Sequence, residues 1–192
     1  MTVHKRLDQV LPMISEARFR ENKGLGNEIG YYIFDYDPKD EFIVRQRIAV
    51  WKKKTNTEQS DFQIREFDLY EIILKILEEK GYLEKVFKME EEKGTDSIRE
   101  PIRKTLRLTQ SNDLVVKHIR DRVKDSDIVF ITGVGKAWPL IRSHTILNAL
   151  HSVIDHVPVI MFYPGTYSGQ DLSLFDEISD QNYYRAFKLI ER

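Results

Sequence analysis

At 192 residues the chain has the length of one domain, and with 41 % hydrophobic and 11 % aromatic residues it can build a core, which excludes a disordered protein. Charge is balanced, 30 Lys plus Arg against 31 Asp plus Glu, so no global basic field gathers nucleic acid, and the lack of cysteine excludes disulfides, thiolate metal sites and cysteine nucleophiles. The longest apolar runs are strand-sized and the opening MTVHKRLDQV lacks the apolar stretch of a secretion signal, so the expected location is the cytoplasm, with no membrane span.

Val3, Leu7, Val10, Leu11 and Ile14 fall at helical spacing and predict an amphipathic helix, kinked or divided at Pro12. NKGLGNE follows, its two glycines around Leu25 marking a loop. YYIFD at 31–35 reads as a strand, and Asp37-Pro38 as an N-cap followed by proline at the first helical position. On that helix Val44, Ile48 and Trp51 face inward, whereas KKKTNTEQSD from Lys52 reads as a surface loop.

A second strand is expected over 62–67, with Asp68 and Glu71 in capping-box spacing before the apolar run at 72–77 and Gly81 closing the helix. Residues 82–110 are highly charged and read as a helical insertion of short helices punctuated by Gly94 and Pro101. Ser111 to Lys124 regains helical spacing, and DIVFIT at 127–132 is near-continuously apolar, as a buried parallel strand is. Ile146, Leu147, Leu150 and Ile154 mark another helix. VPVIMFY at 157–163 reads as the next strand, ending at Pro164-Gly165, and NYYRAFKLIER as a last strand, with a short helix as the alternative. Strands separated by helices predict a single α/β domain over 1–192: three layers, a mainly parallel sheet of about five strands, helices on both faces.

In such a sheet ligands bind beyond the carboxyl ends of the strands. Two loops stand out there, one with Thr132, Gly133, Gly135 and Lys136 inside FITGVGKAWP, the other with Tyr163, Gly165, Tyr167, Ser168, Gly169, Gln170 and Asp171; neighbouring strands would bring them to one rim. FITGVGKAWP is not a phosphate loop of the G-x-x-x-x-G-K-[ST] kind. Phe130 stands where the first glycine belongs, Ala137 replaces the magnesium-binding hydroxyl, and Trp138-Pro139 interrupts the expected helix. A weaker functional reading remains, in which the glycines, Lys136 and Arg142-Ser143-His144 bind a phosphate, a nucleic-acid backbone or an acidic partner. In the plain alternative the glycines make the turn, Ser143 or Thr145 caps the following helix, and His144 is an ordinary histidine.

Asp35, Tyr36, Asp37 and Asp40 suggest a carboxylate metal site, but Asp37 is already explained as a cap and the five histidines show no ligand spacing. No metal or cofactor is expected. Ser168 in YSGQ lacks the G-x-S-x-G elbow of a hydrolase nucleophile.

Four stretches together, GLGNEIGYYIFDYDP at 24–38, ITGVGKAWPLIRSHTILNAL at 131–150, VIMFYPGTYSGQDLSLF at 159–175 and NYYRAFKL at 182–189, resemble the BrxB family of bacterial BREX phage-defence systems. The resemblance runs from the N-terminal helix to the end of the chain and is weakest at 52–61 and 82–110. It implies membership of a multi-protein system that blocks phage replication and methylates host DNA, with a methyltransferase, a large ATPase and the phosphatase-fold protein PglZ as other parts. It carries no catalytic residues. The signature positions that carry over are Gly24, Gly26, Asn27, Glu28, Thr132, Gly133, Gly135, Lys136, Arg142, Ser143, His144, Tyr163, Pro164, Gly165, Gly169, Asn182, Tyr183, Arg185 and Phe187. The expectation is a non-enzymatic adaptor that bridges other BREX proteins. The alternatives are a degenerate nucleotide- or phosphate-binding protein using the GVGK/RSH rim, and a subunit contacting nucleic acid, indirectly or weakly, through a local basic patch such as Lys52, Lys53 and Lys54.

Overall fold

The structure, a computed structural model, describes residues 1–21, 30–180 and 186–192. Gly24, Gly26, Asn27, Glu28, Asn182, Tyr183 and Arg185 lie outside the described residues.

Two N-terminal helices, α1 (Val3–Ser15) and α2 (Ala17–Arg20), precede strand β1 (Tyr31–Tyr36). Pro12 sits inside α1 without dividing it, and the break comes at Glu16. Asp37 caps a short 3₁₀ turn (Pro38–Asp40) that leads into α3 (Glu41–Thr55). The three lysines that read as loop form the last turn of α3, where cations meet the negative end of the helix dipole. Next come β2 (Gln63–Asp68), α4 (Leu69–Glu79), α5 (Leu83–Lys93), α6 (Asp96–Leu106) and α7 (Leu114–Arg120). Gly94 separates α5 from α6 as expected, but Pro101 lies within α6, whose Ile98, Ile102 and Leu106 are buried in the core.

The second half holds β3 (Asp127–Thr132), α8 (Val134–Ala137), α9 (Ser143–His151), β4 (Val159–Tyr167), β5 (Leu172–Leu174), β6 (Ile178–Asp180) and β7 (Phe187–Lys188). Five strands form a parallel sheet in the order β2-β3-β4-β1-β7, the expected α/β architecture. β4 does not stop at Pro164-Gly165. It runs on to Tyr167 and turns back into an antiparallel hairpin with β5 and β6.

Alternation along the strands divides the core in two. Phe34, Phe130 and Phe162, from three adjacent strands, pack with Trp51 on the face covered by α1 and α3, their ring centroids 4.9 to 6.4 Å apart. Ile33, Val129, Ile131, Met161 and Tyr163 face the other way, toward α4, α6, α7 and α9. The chain thus leaves β1 toward one face and leaves β2 and β3 toward the other. That reversal places the topological switch at the carboxyl ends of β1 and β4.

Candidate functional site

Because β3 and β4 are neighbours, the loops after them do share one rim. At its β3 side Asp68, which pairs in register with Thr132, caps α4 by accepting from the backbone N–H of Tyr70 at 3.0 Å and of Glu71 at 3.2 Å. Gly133 follows in the left-handed region, φ +71°, and a Cβ there would lie 2.2 Å from Asp68 Oδ1. Only glycine lets the loop close over that cap.

Gly135 is filled in the same sense. Its missing Cβ would meet the Phe175 ring at 2.9 Å and Pro164 Cγ at 3.3 Å. A Cβ on Gly165 would lie 2.0 Å from the Ser173 carbonyl oxygen across the hairpin. Phe175 and Asp176, both at positive φ, lie in the turn between β5 and β6, and the Thr166 hydroxyl donates to Asp176 Oδ1. Non-glycine residues rarely take such torsions, least of all an aromatic one.

Lys136 faces α4. Its Nζ lies 2.6 Å from Asp68 Oδ2 and 3.5 Å from Glu71 Oε1, and 5.6 Å from the centroid of the Tyr70 ring. A phosphate approaching it would meet two carboxylates, one already holding the ammonium. Thr132 is likewise engaged, donating to Glu66 Oε1 at 2.9 Å while Lys52 bonds Glu66 Oε2 at 2.7 Å.

The RSH side is arranged differently. Arg142 occupies the N-cap position of α9 without capping it through its side chain, and Ser143 is the first helical residue, so neither Ser143 nor Thr145 is the cap. Arg142 is exposed and, among the described residues, forms no ion pair. Arg142, Ser143 and Tyr163 line a hollow of about 210 Å³ between the start of α9, β4 and the hairpin, with Trp138, Leu174 and Ile178 as apolar walls. His144 is half-buried and Tyr163 buried, and both have interaction partners.

At the switch point itself the chain seals its own crevice. Asp35 and Arg6 are both buried, Arg6 Nη2 donating to Asp35 Oδ1 at 2.7 Å and to the Ile190 carbonyl at 2.8 Å, and Nη1 to the Asp35 carbonyl. The other carboxylate oxygen of Asp35 accepts from the Tyr167 N–H at 3.1 Å and lies 3.2 Å from Arg192 Nε. Arg192 also donates to the Gly165 carbonyl, and the Tyr167 hydroxyl to the Ala186 carbonyl. Asp35 therefore fastens α1, the hairpin and the C-terminal tail together rather than joining Asp37 and Asp40 at a metal. Among the described residues no three His, Asp or Glu side chains are grouped to hold an ion. The sequence did carry a signal for this hub: an aspartate inside an apolar strand buried on both faces must find a cation.

Beside it the Tyr36 hydroxyl donates to Glu41, which also holds Arg45 at 2.6 Å; burial, then the Glu41 charge, raise the Tyr36 pKa far above the phenol range. A hollow of about 730 Å³ lies elsewhere, along the free edge of β2. Its mixed charges include Arg65, Glu66, Lys75, His118 and Arg122. Burial first, then Arg122 and Lys75, lower the His118 pKa. The edge is blunted at Ile64, whose N–H and C=O are both taken by the Asn56 amide at 2.8 and 3.0 Å.

Fold and rim define a three-layer α/β protein whose glycine-lysine loop is a packing joint and whose strand-end crevice is closed by its own hairpin and tail. A family model described as BREX protein BrxB matches residues 65–189. The chain is 60 % identical over 190 residues to a BREX protein BrxB of Bacillus cereus (strain H3081.97), covering 99 % of this chain and 98 % of that protein. It is 38 % identical over 185 residues to a BREX protein BrxB of Escherichia coli O9:H4 (strain HS), covering 96 % and 90 %. No solved structure gives a significant match. The chain belongs to the BrxB family and is a component of a BREX phage-defence system. Among the described residues no helix is long and apolar enough to cross a membrane.

Proposed function

We propose that the protein is a non-enzymatic adaptor of its BREX system, acting in the cytoplasm by holding other BREX components together, among them a PglZ-like protein, the methyltransferase or the ATPase. The observation that carries this reading is the pair of exposed apolar side chains on the outer side of α3. Val44, Ile48, Trp51 and Thr55 lie on the buried face. On its outer side Phe42 and Val50, 69 % and 47 % exposed, stand two turns apart with the polar Gln46 between them. Two large apolar side chains left in water on a helix whose inner face already serves the fold support an interaction surface there.

The pair runs into Lys53 and Lys54, exposed and, among the described residues, without acidic partners. It favours a partner element with an apolar ridge and acidic flanks. Contact with DNA is then indirect or weak, since the lysines of this turn flank a protein-binding surface. Expression of the whole operon with a tag on this protein tests the reading: at least one other BREX protein co-purifies in stoichiometric amount, and elution of the tagged protein alone refutes it.

A further inference from the structure

Among the described residues β2 is an edge strand, paired with β3 on one side only. The backbone groups of alternate residues along it point toward β3 and toward the free edge. The Gln63 N–H faces the β3 side, donating to the Ser126 carbonyl, and Ile64 faces outward, where Asn56 takes both its groups. The next outward residue is Glu66, and no side chain takes its N–H or C=O among the described residues. The edge is blocked at its start and open further along.

The open part adjoins the hollow of about 730 Å³, whose walls come from α4 and the end of α7. Phe67, Ile72 and Val123 give it apolar patches, and the rest is charged. Each carboxylate lining it already faces a cation: Glu66 Lys52 at 2.7 Å, Asp68 Lys136 at 2.6 Å, Asp121 Arg120 at 2.7 Å, and Glu71 Lys136 at 3.5 Å. The cations are not matched in turn. Arg65 holds Asp127, but Lys75, Arg122 and Lys124, all exposed, form no ion pair among the described residues. Half-buried His118 lies among them, and after burial the charges that lower its pKa most are Arg122 and Lys75, so these side chains converge.

Edge and charge together select the occupant. A nucleic-acid strand could use the cations, but its backbone carries no N–H to meet the Glu66 carbonyl. An extended peptide uses both features, its main chain pairing with Glu66 and every second side chain entering the groove. The surplus positive charge asks for acidic side chains at those positions, and the apolar patches for an apolar one between them.

We propose that β2 is a docking edge for an extended acidic segment of a protein partner, which adds as a further strand beside Glu66 and lays alternate carboxylates against Lys75, His118, Arg122 and Lys124. Phe67 and Ile72 belong to the core on the other side of the sheet from α3. The proposal therefore goes beyond the adaptor reading and stands whether or not the outer side of α3 binds.

The test is an amide NMR titration of the full chain with a blocked peptide, acetyl-TDTITDT-amide, whose two aspartates and isoleucine share one face of a strand, and with its lysine counterpart, acetyl-TKTITKT-amide. Saturable shifts centred on Glu66 are expected with the acidic peptide only, and raising salt from ~50 to ~500 mM should weaken its binding about tenfold. Lys75→Glu/Arg122→Glu should weaken it about tenfold or more. Both side chains are exposed, so the variant keeps the fold, and an unchanged unfolding midpoint verifies it. N-methylation of one alternate set of peptide amides should abolish binding and of the other set preserve it, as edge pairing requires. The proposal is overturned if Glu66 shows no saturable shift at millimolar peptide, if the double variant titrates like the wild type, if both methylated sets bind equally, or if the lysine peptide binds as well. Tighter binding of a short oligothymidylate in the same groove, or a dimer in sedimentation that Lys75→Glu/Arg122→Glu dissolves, would assign the edge to nucleic acid or to a second copy and overturn it as well.

Discussion

Gly133→Ala separates a packing joint from a phosphate loop. The new Cβ would lie 2.2 Å from Asp68 Oδ1 and 2.7 Å from Cγ, so the carboxylate must swing away. The left-handed torsion alone costs alanine about 1 kcal/mol relative to glycine. Displacing Asp68 also gives up its bonds to the Tyr70 and Glu71 N–H groups, a cap worth about 0.5–2 kcal/mol. It further loosens the Lys136 pair, whose partners are 29 % and 21 % exposed and which adds less than about 1 kcal/mol at that exposure. The sum is about 1.5–4 kcal/mol, a fall in Tm of about 3–16 °C for a chain of this length. Chemical and thermal unfolding measure it, with Asp68→Ala as second background. There the clash and the cap are gone, so Gly133→Ala should cost only about 1 kcal/mol. Equal cost in both backgrounds, or no cost in either, would falsify the assignment of Gly133 to packing against Asp68.

Arg6→Met leaves Asp35 buried with only the partly exposed Arg192 as cation; urea unfolding should show a loss of about 3–5 kcal/mol, and a loss below 1 kcal/mol contradicts the hub. Lys136→Met should cost less than about 1 kcal/mol by the same assay, whereas a true phosphate-loop lysine would reveal itself in ligand affinity. His118 has a folded-state pKa below its ordinary value, so its share of stability is full above the unfolded pKa and is lost as pH falls through the folded one. His118→Gln should remove that acid-side loss, and identical pH–stability curves for the two proteins on the acid side of neutrality contradict it. Asp113 runs the other way. Burial raises its pKa although three backbone N–H groups point at it, so its contribution falls as pH rises from below the ordinary carboxylate range through the raised pKa. NMR titration of its carboxyl should give a midpoint above that of an exposed aspartate.

Local signals were readable wherever a local interaction decides the structure. DIVFIT became β3 residue for residue, Asp68 became the α4 cap, and Gly81 closed that helix at φ +67°. Signals failed where tertiary partners decide. Pro164-Gly165 reads as a strand terminator, yet β4 passes through it because β5 supplies an antiparallel partner on one side and β1 a parallel one at Pro164 on the other. Lys136 follows a glycine at a strand end, as a phosphate-binding lysine does, whereas its pairing with Asp68 depends on β2 and β3 being neighbours in register. Trp51 signals the inward face of α3, but Phe42 and Val50 on its outer side blur the helical periodicity, so their exposure is evident only once the inner face is docked. Of the rim residues, the structure gathers Arg142, Ser143 and Tyr163 around one hollow and turns Thr132 and Lys136 away toward β2 and α4.

The adaptor account is tested most directly by comparing the wild type with Phe42→Glu/Val50→Glu in cells carrying the rest of the operon. Both side chains are exposed, so the double variant should keep the wild-type Tm within about 1 °C, surface changes being near neutral. The account predicts that its tagged form loses the BREX partner that the wild type retains, while Arg142→Met and Lys136→Met keep it. Undiminished co-purification by the double variant would contradict the assignment of the outer α3 face as the docking surface.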